Sequence, residues 1–283
     1  MIPQGQQRRQ AQASTGRFPD DHDIGWSNAL GQQPAIGRDS ILKRAGKRIF
    51  RGQTVVGSGE PTETTLIDEK VDGFVARYRG DGTLAWAKRA GGPGFDMPLA
   101  IAVEGDGSLL VTGEFGMGTA GSSATFGPGE PGQVVLSSTG AEIFVARYAG
   151  DDGRLLAAKS AGGSGNDTGQ AIHATSGGFV VVGDFGGQPG TQATFGAGQP
   201  GETTLTARDG GAVFVALYAT DGKLTWAQIG VSENALITAR AVTVAVNGDL
   251  IAGGGFSIRA TFNLTSLGPA KGGVDGFLVI YRP

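Results

Sequence analysis

The sequence predicts an all-β chain built from about four related units, each of about 70 residues. Three observations lead there. A strand-like phrase recurs at near-constant spacing: "GFVARY" at 73–78, "IFVARY" at 143–148, "VFVALY" at 213–218 and "GFLVIY" at 276–281, with intervals of 70, 70 and 63 residues. Apolar residues alternate inside the phrase, Phe74, Ala76 and Tyr78 against Val75 and Arg77, and a period of two belongs to a strand. Glycine, at 52 of 283 residues, is concentrated between the apolar runs, where turns belong.

The remaining elements follow from phrases that keep step with the first. "DGTLAWAK" (81–88), "DGRLLAAK" (152–159) and "DGKLTWAQ" (221–228) come after it across a gap that fits only a tight turn. The Asp-Gly in that gap supplies a glycine that tolerates positive φ, so the two phrases form a β-hairpin. "GSLLVTGEF" (107–115), "GFVVVGDF" (178–185) and "GDLIAGGGF" (248–256) form a second family, and residues 99–115 make a second hairpin bending at Asp106-Gly107. A third family is "ATFGPGEPG" (124–132) and "ATFGAGQPG" (193–201), with "VVGSGEPTETTL" (55–66) and "ATFNLT" (260–265) as weaker relatives. Each unit thus offers two hairpins joined by a longer glycine-rich connection. Four antiparallel strands repeated radially describe the blade of a β-propeller, whose small sheets bury both faces against their neighbours. A β-sandwich is the competing all-β arrangement, but nothing in it demands this period.

In order and spacing, "FVARY", "DGTLAWAK", "GG", "AIAV" and "LLVTGEF" resemble the bacterial β-propeller repeat called the SBBP repeat, over residues of about 50–283. The resemblance implies a propeller fold and a place in large, mostly bacterial surface or exported proteins. It implies no reaction. By analogy with that family, "AIAV/SLLVTG" is the inner pair of a blade and "FVARY/LAWAK" the outer pair. The units are then 39–90, 91–161, 162–229 and 230–283, with 96–161 and 167–229 complete. The last stops after its third strand and the first lacks an inner pair. "ILKRAG" at 41–46 resembles "WAKRAG" at 86–91 and is the candidate outer strand that closes a ring of about four blades. An open arc is the alternative. Residues 1–38, rich in Gln, Gly and Ser, are expected to be a disordered tail.

Composition narrows the function classes. A balance of 39% hydrophobic and 17% charged residues suits a folded chain, and a net charge of −3 gives no pull toward nucleic acid or anionic membrane. With no cysteine there is no disulfide, thiolate metal site or cysteine nucleophile. No run approaches the roughly 18 apolar residues of a membrane helix, and residues 1–40 lack the apolar core of a signal peptide. Compartment is therefore not fixed by the sequence; only the resemblance points to the cell surface.

Four carboxylates are candidate site residues. "GGPGFD" (91–96) and "GGSGND" (162–167), ending in Asp96 and Asp167, match the start of a calcium-binding nonapeptide, but its copies must stack and these stand 71 residues apart. In the last unit Leu236 falls at their position, and a turn-forming Asp is the favoured role. Glu114 and Asp184 share a register just after a strand and form a possible acid-base pair facing a central opening, with Gly255 in their place in the last unit. Solvated strand-end charges are the blander and favoured alternative. Trp86 and Trp226 share a register with Ala157, which leaves a gap for a neighbour to fill if the tryptophans pack between sheets. His173, alone among the repeats, supports neither a triad nor a metal site. The basic run Lys43, Arg44, Lys47, Arg48 and Arg51 is a small field on a weakly acidic chain.

The sequence therefore leads to a non-enzymatic binding or interaction module with an unidentified protein or glycan partner, without cofactor or metal, and with sheet edges open to self-association. A glycan hydrolase or lyase using Glu114 and Asp184, and a purely structural module, are the alternatives.

Overall fold

A computed structural model describes residues 52–282, apart from 120, 209–210, 233–235, 264 and 272. The expected tail 1–38, the candidate closing strand 41–46 and the basic run at 43–51 lie outside the described residues. Among the described residues there is no helix, and every named strand pairs antiparallel. The chain is all-β.

The first unit contributes β1 (Gln53–Val56), β2 (Thr64–Ile67), β3 (Gly73–Tyr78) and β4 (Leu84–Gly91). The second contributes β5 (Phe95–Val103), β6 (Leu109–Met117), β7 (Ser123–Phe126), β8 (Val134–Ser137), β9 (Glu142–Tyr148) and β10 (Leu155–Gly163). The third repeats that order as β11 (Thr168–Thr175), β12 (Gly178–Gly186), β13 (Gln192–Phe195), β14 (Thr203–Thr206), β15 (Gly211–Ala219) and β16 (Leu224–Ser232). The last holds β17 (Ile237–Val244), β18 (Leu250–Phe256), β19 (Ala260–Phe262), β20 (Thr265–Leu267) and β21 (Asp275–Tyr281).

The two expected hairpins of a unit join into one sheet, giving the neighbour order β5-β6-β9-β10 in the second unit and β11-β12-β15-β16 in the third. The glycine-rich connection behaves differently from a linker. It is a short hairpin, and it leaves its own sheet: β7 pairs with β4 of the unit before, β13 with β10 and β19 with β16. The sheets are therefore β3-β4-β7-β8, β5-β6-β9-β10-β13-β14, β11-β12-β15-β16-β19-β20 and β17-β18-β21, with β1-β2 separate. None of them closes on itself.

The turns are set by the residues that the sequence singles out. Gly82, Gly107, Gly153 and Gly222 all have φ between 72° and 87°, a region that other residues enter at a cost. The aspartate before each caps the turn: the Asp81, Asp106, Asp152 and Asp221 carboxylates accept the amides of Thr83, Ser108, Arg154 and Lys223 at 2.9–3.0 Å.

Alternation along strands such as β12 and β3 divides their side chains between two cores. On β12, Val180 and Val182 pack toward the last unit with Leu250, Phe256 and Phe277. Phe179 and Val181 pack toward the second with Leu110 and Ile143. Val75 likewise joins the core of the second unit while Phe74, Ala76 and Tyr78 pack beside Val56, Leu66 and Leu84. Burial of both faces is why the strands carry apolar residues at nearly every position. The crossing hairpins are fixed to their own unit by one contact repeated three times. Phe126 meets Phe144, Phe195 meets Phe214 and Phe262 meets Phe277, with ring centroids 4.7–5.0 Å apart and planes tilted 46–50°.

Candidate functional site

The four candidate carboxylates lie at the strand ends where successive units meet, and own-chain donors engage them all. Asp96 is buried at the start of β5, where one carboxylate oxygen accepts the Gly92 amide at 2.7 Å and the other the Gly116 amide at 2.8 Å. Asp167 repeats the arrangement before β11, with the amides of Gly163 at 2.7 Å and Gly186 at 3.3 Å. Each ties the start of the first strand of a unit to the end of the second. The calcium-like spelling thus encodes a carboxylate clasp, each oxygen accepting a backbone N–H group. In the last unit the strand register places Ile237, one residue beyond the expected Leu236, opposite Phe256 where Asp167 would stand.

Glu114 and Asp184 reach to the following unit. Glu114, on β6, accepts the Thr168 hydroxyl of β11 at 2.5 Å. Asp184, on β12, accepts the Ala239 amide of β17 at 2.7 Å and the Gln170 side chain at 3.2 Å. They latch the second strand of one unit to the first strand of the next. Gly255 breaks the series in β18, and it accommodates Val274: a Cβ there would meet the valine side chain at 2.8 Å.

Burial governs the electrostatics. Desolvation pushes Asp96 and Asp167 up to about 6 against the pull of the backbone N–H groups that they accept, and the nearby carboxylates Asp72 and Glu142 add to the rise. Asp184 is also raised to about 6, mainly by desolvation, with the Glu114 charge adding to the rise and the Ala239 amide and Arg240 opposing it.

Two acidic residues outside the sequence candidates belong to the same region. Asp72, at the entry to β3, is fully buried, pairs with the Arg89 guanidinium and accepts the Glu69 amide at 3.3 Å. Desolvation raises its pKa despite Arg89, and Glu142 is raised by burial in the equivalent place. Their only sequence signal is an acid directly before the recurring phrase, in "VDGFVARY" and "AEIFVARY". Among the described residues no group of three His, Asp or Glu side chains could hold a metal ion.

The tryptophan register behaves as packing. Trp86 is buried, and its indole N–H donates to the Gly150 carbonyl of the second unit at 3.1 Å. Trp226 packs on Tyr281 of the last unit, with centroids 5.6 Å apart. Ala157, at the same register, is exposed.

Compared with known protein families, the chain matches no family model. No curated protein matches it either.

Proposed function

We propose that the chain is a non-enzymatic interaction module whose units are blades of a β-propeller of the bacterial SBBP-repeat kind, presenting its surface to a protein or glycan partner at the cell exterior. The repeated sheet order, the two-faced burial and the contacts recurring unit after unit support the propeller. The observation that carries the non-enzymatic part is the use of the carboxylates: Asp96, Asp167, Glu114 and Asp184 each hold backbone or side-chain donors of the chain itself. A catalytic pair needs an acid and a base within reach of a substrate bond. These four are arranged as clasps between strands.

The glycan hydrolase or lyase has one observation in its favour: Asp184 is raised to about 6, with the charge of Glu114 contributing, a relation that acid-base pairs exploit. A panel of bacterial surface polysaccharides, assayed both for retention on the immobilised protein and for release of reducing or unsaturated ends, tests both. Retention without release, undiminished in Glu114→Gln, is expected. Release that disappears in Glu114→Gln and Asp184→Asn would establish the enzyme instead.

The structural alternative is supported by β21, an edge strand that exposes Leu278 and Ile280. Light scattering across a hundredfold dilution addresses it. A mass that stays at one chain rules out assembly through that edge.

A further inference from the structure

A cleft of about 430 Å³ opens between the second and third units, around Ala157, Lys159, Tyr218, Thr220 and Gly222. That volume lies within the range of small-molecule sites, roughly 300–1,000 Å³. Its origin is visible in the repeat. One unit earlier the same space is occupied by the indole of Trp86, which lies so close to the following turn that a Cβ on Gly153 would meet its ring at 2.5 Å. At the cleft, Gly222 holds the place of Gly153, Thr220 that of Gly150 and Ala157 that of Trp86. Deleting the indole leaves the turn open, and a Cβ on Gly222 would meet only the end of the Lys159 side chain, its ammonium at 3.4 Å. Phe179, where the neighbouring units have leucine, stacks on Tyr218 with centroids 5.0 Å apart and planes 15° from parallel. It fills part of the space and leaves a flat aromatic wall.

A second exchange accompanies the first. One unit earlier Lys88 pairs with Glu130 at 2.6 Å. Lys159 takes the place of Lys88, but Gln199 takes that of Glu130. The Lys159 ammonium turns to the Gly222 carbonyl at 2.8 Å, with no carboxylate within ion-pair distance among the described residues. Asp221, also on the rim, is paired with Lys223 at 2.7 Å. One interface has therefore lost an indole and an acid together, and it has an aromatic wall, the Lys159 ammonium beside an Arg147 already paired with Glu104 and Asp106, and the Thr220 carbonyl where the Trp86 N–H finds Gly150.

We propose that this cleft is a binding site for a planar aromatic carboxylate of about indole size, with its ring in the space that Trp86 fills elsewhere and its carboxylate on Lys159. The site depends on two adjacent units only, and stands whether or not the sheets close into a ring. The probe is indole-3-acetate, with tryptamine as the cationic counterpart, read by melting temperature and by the ring resonances of Tyr218. Indole-3-acetate is expected to raise the melting temperature with concentration and to shift Tyr218, as a ligand of the native state must. Tryptamine is expected to do so at least about tenfold less effectively, the order of one charged hydrogen bond. Ala157→Trp should abolish the response and raise the melting temperature of the free protein; should it fail to fold, Ala157→Leu, which blocks part of the cleft, should weaken the response. Lys159→Gln should erase the preference for the acid. No response in the native protein, an equal response in the Ala157 variants, or equal action of acid and amine would overturn the proposal.

Discussion

Glu130 holds two units at once: one carboxylate oxygen takes the Lys88 ammonium of the preceding unit at 2.6 Å, the other the Leu155 amide of its own at 2.6 Å. The residue sits in the turn of the crossing hairpin β7-β8, which already pairs with β4. Gln199 keeps only the second bond, accepting the Leu224 amide at 2.9 Å, and Glu60 accepts the Leu84 amide in the first unit. The amide bond is the shared part and the ion pair the addition.

Glu130→Ala is therefore expected to cost about 1–3 kcal/mol, the penalty for leaving the part-buried Leu155 amide unpaired. Glu130→Gln keeps an acceptor for that amide and loses only a part-buried ion pair, so it should cost less than Glu130→Ala, about 1 kcal/mol. Urea unfolding of the two variants checks the order, and equal losses would refute it.

The tilted phenylalanine pair anchors the same hairpin. Phe126 is buried against Phe144, so Phe126→Ala should cost about 3–5 kcal/mol. Val135, on the exposed side of β8, should change stability by less than about 0.5 kcal/mol on truncation to alanine. Thermal unfolding of both variants is the measurement.

Two equivalent turn glycines should respond unequally. Gly153 and Gly222 share a φ of 72°, so alanine costs each the same backbone strain, about 1 kcal/mol. Only at Gly153 does the new methyl also meet the Trp86 ring, which adds about 1–3 kcal/mol of overpacking. Gly153→Ala falling no further in melting temperature than Gly222→Ala would show that the indole does not lie against the Gly153 turn.

Stability should rise as pH falls from about 6 toward 4. Asp96, Asp167 and Asp184 have folded-state pKa values of about 6 against 3.8 for the ordinary group, so in that window the folded chain binds protons that the unfolded chain has released. Above about pH 6.5 these groups are ionised in both states and their contribution is flat. The exposed turn aspartates, lowered by their hydrogen bonds, act only below pH 4. A melting temperature higher at pH 4.5 than at 7.5, with a shallower slope in Asp184→Asn, is the expected profile.

What the sequence reveals of this fold is its local part. Alternation in "FVARY" and the Asp-Gly turns identify β3, β9 and β15 and their hairpins because both signals lie within a few residues. The destination of "ATFGPGEPG" is not legible. Its strands are four residues long, and their partner, Ala90-Gly91 for Phe126-Thr125, lies in another unit. Among the site residues, Asp96 and Asp167 are recognisable as turn formers, whereas the reach of Glu114 to Thr168 is not, since it depends on how two units pack. The gap at Ala157 is legible from the repeat alone; that Phe179 covers only part of it is not.

The crossing hairpins bear on how such a chain can change in length. Because the second and third units each lend a hairpin backward and receive one from ahead, their strand pairings recur one period later. A gene duplication of one period, beginning at any point within it, would insert a segment that finds every strand partner already waiting on either side. A deletion out of phase would strand a hairpin without its host sheet.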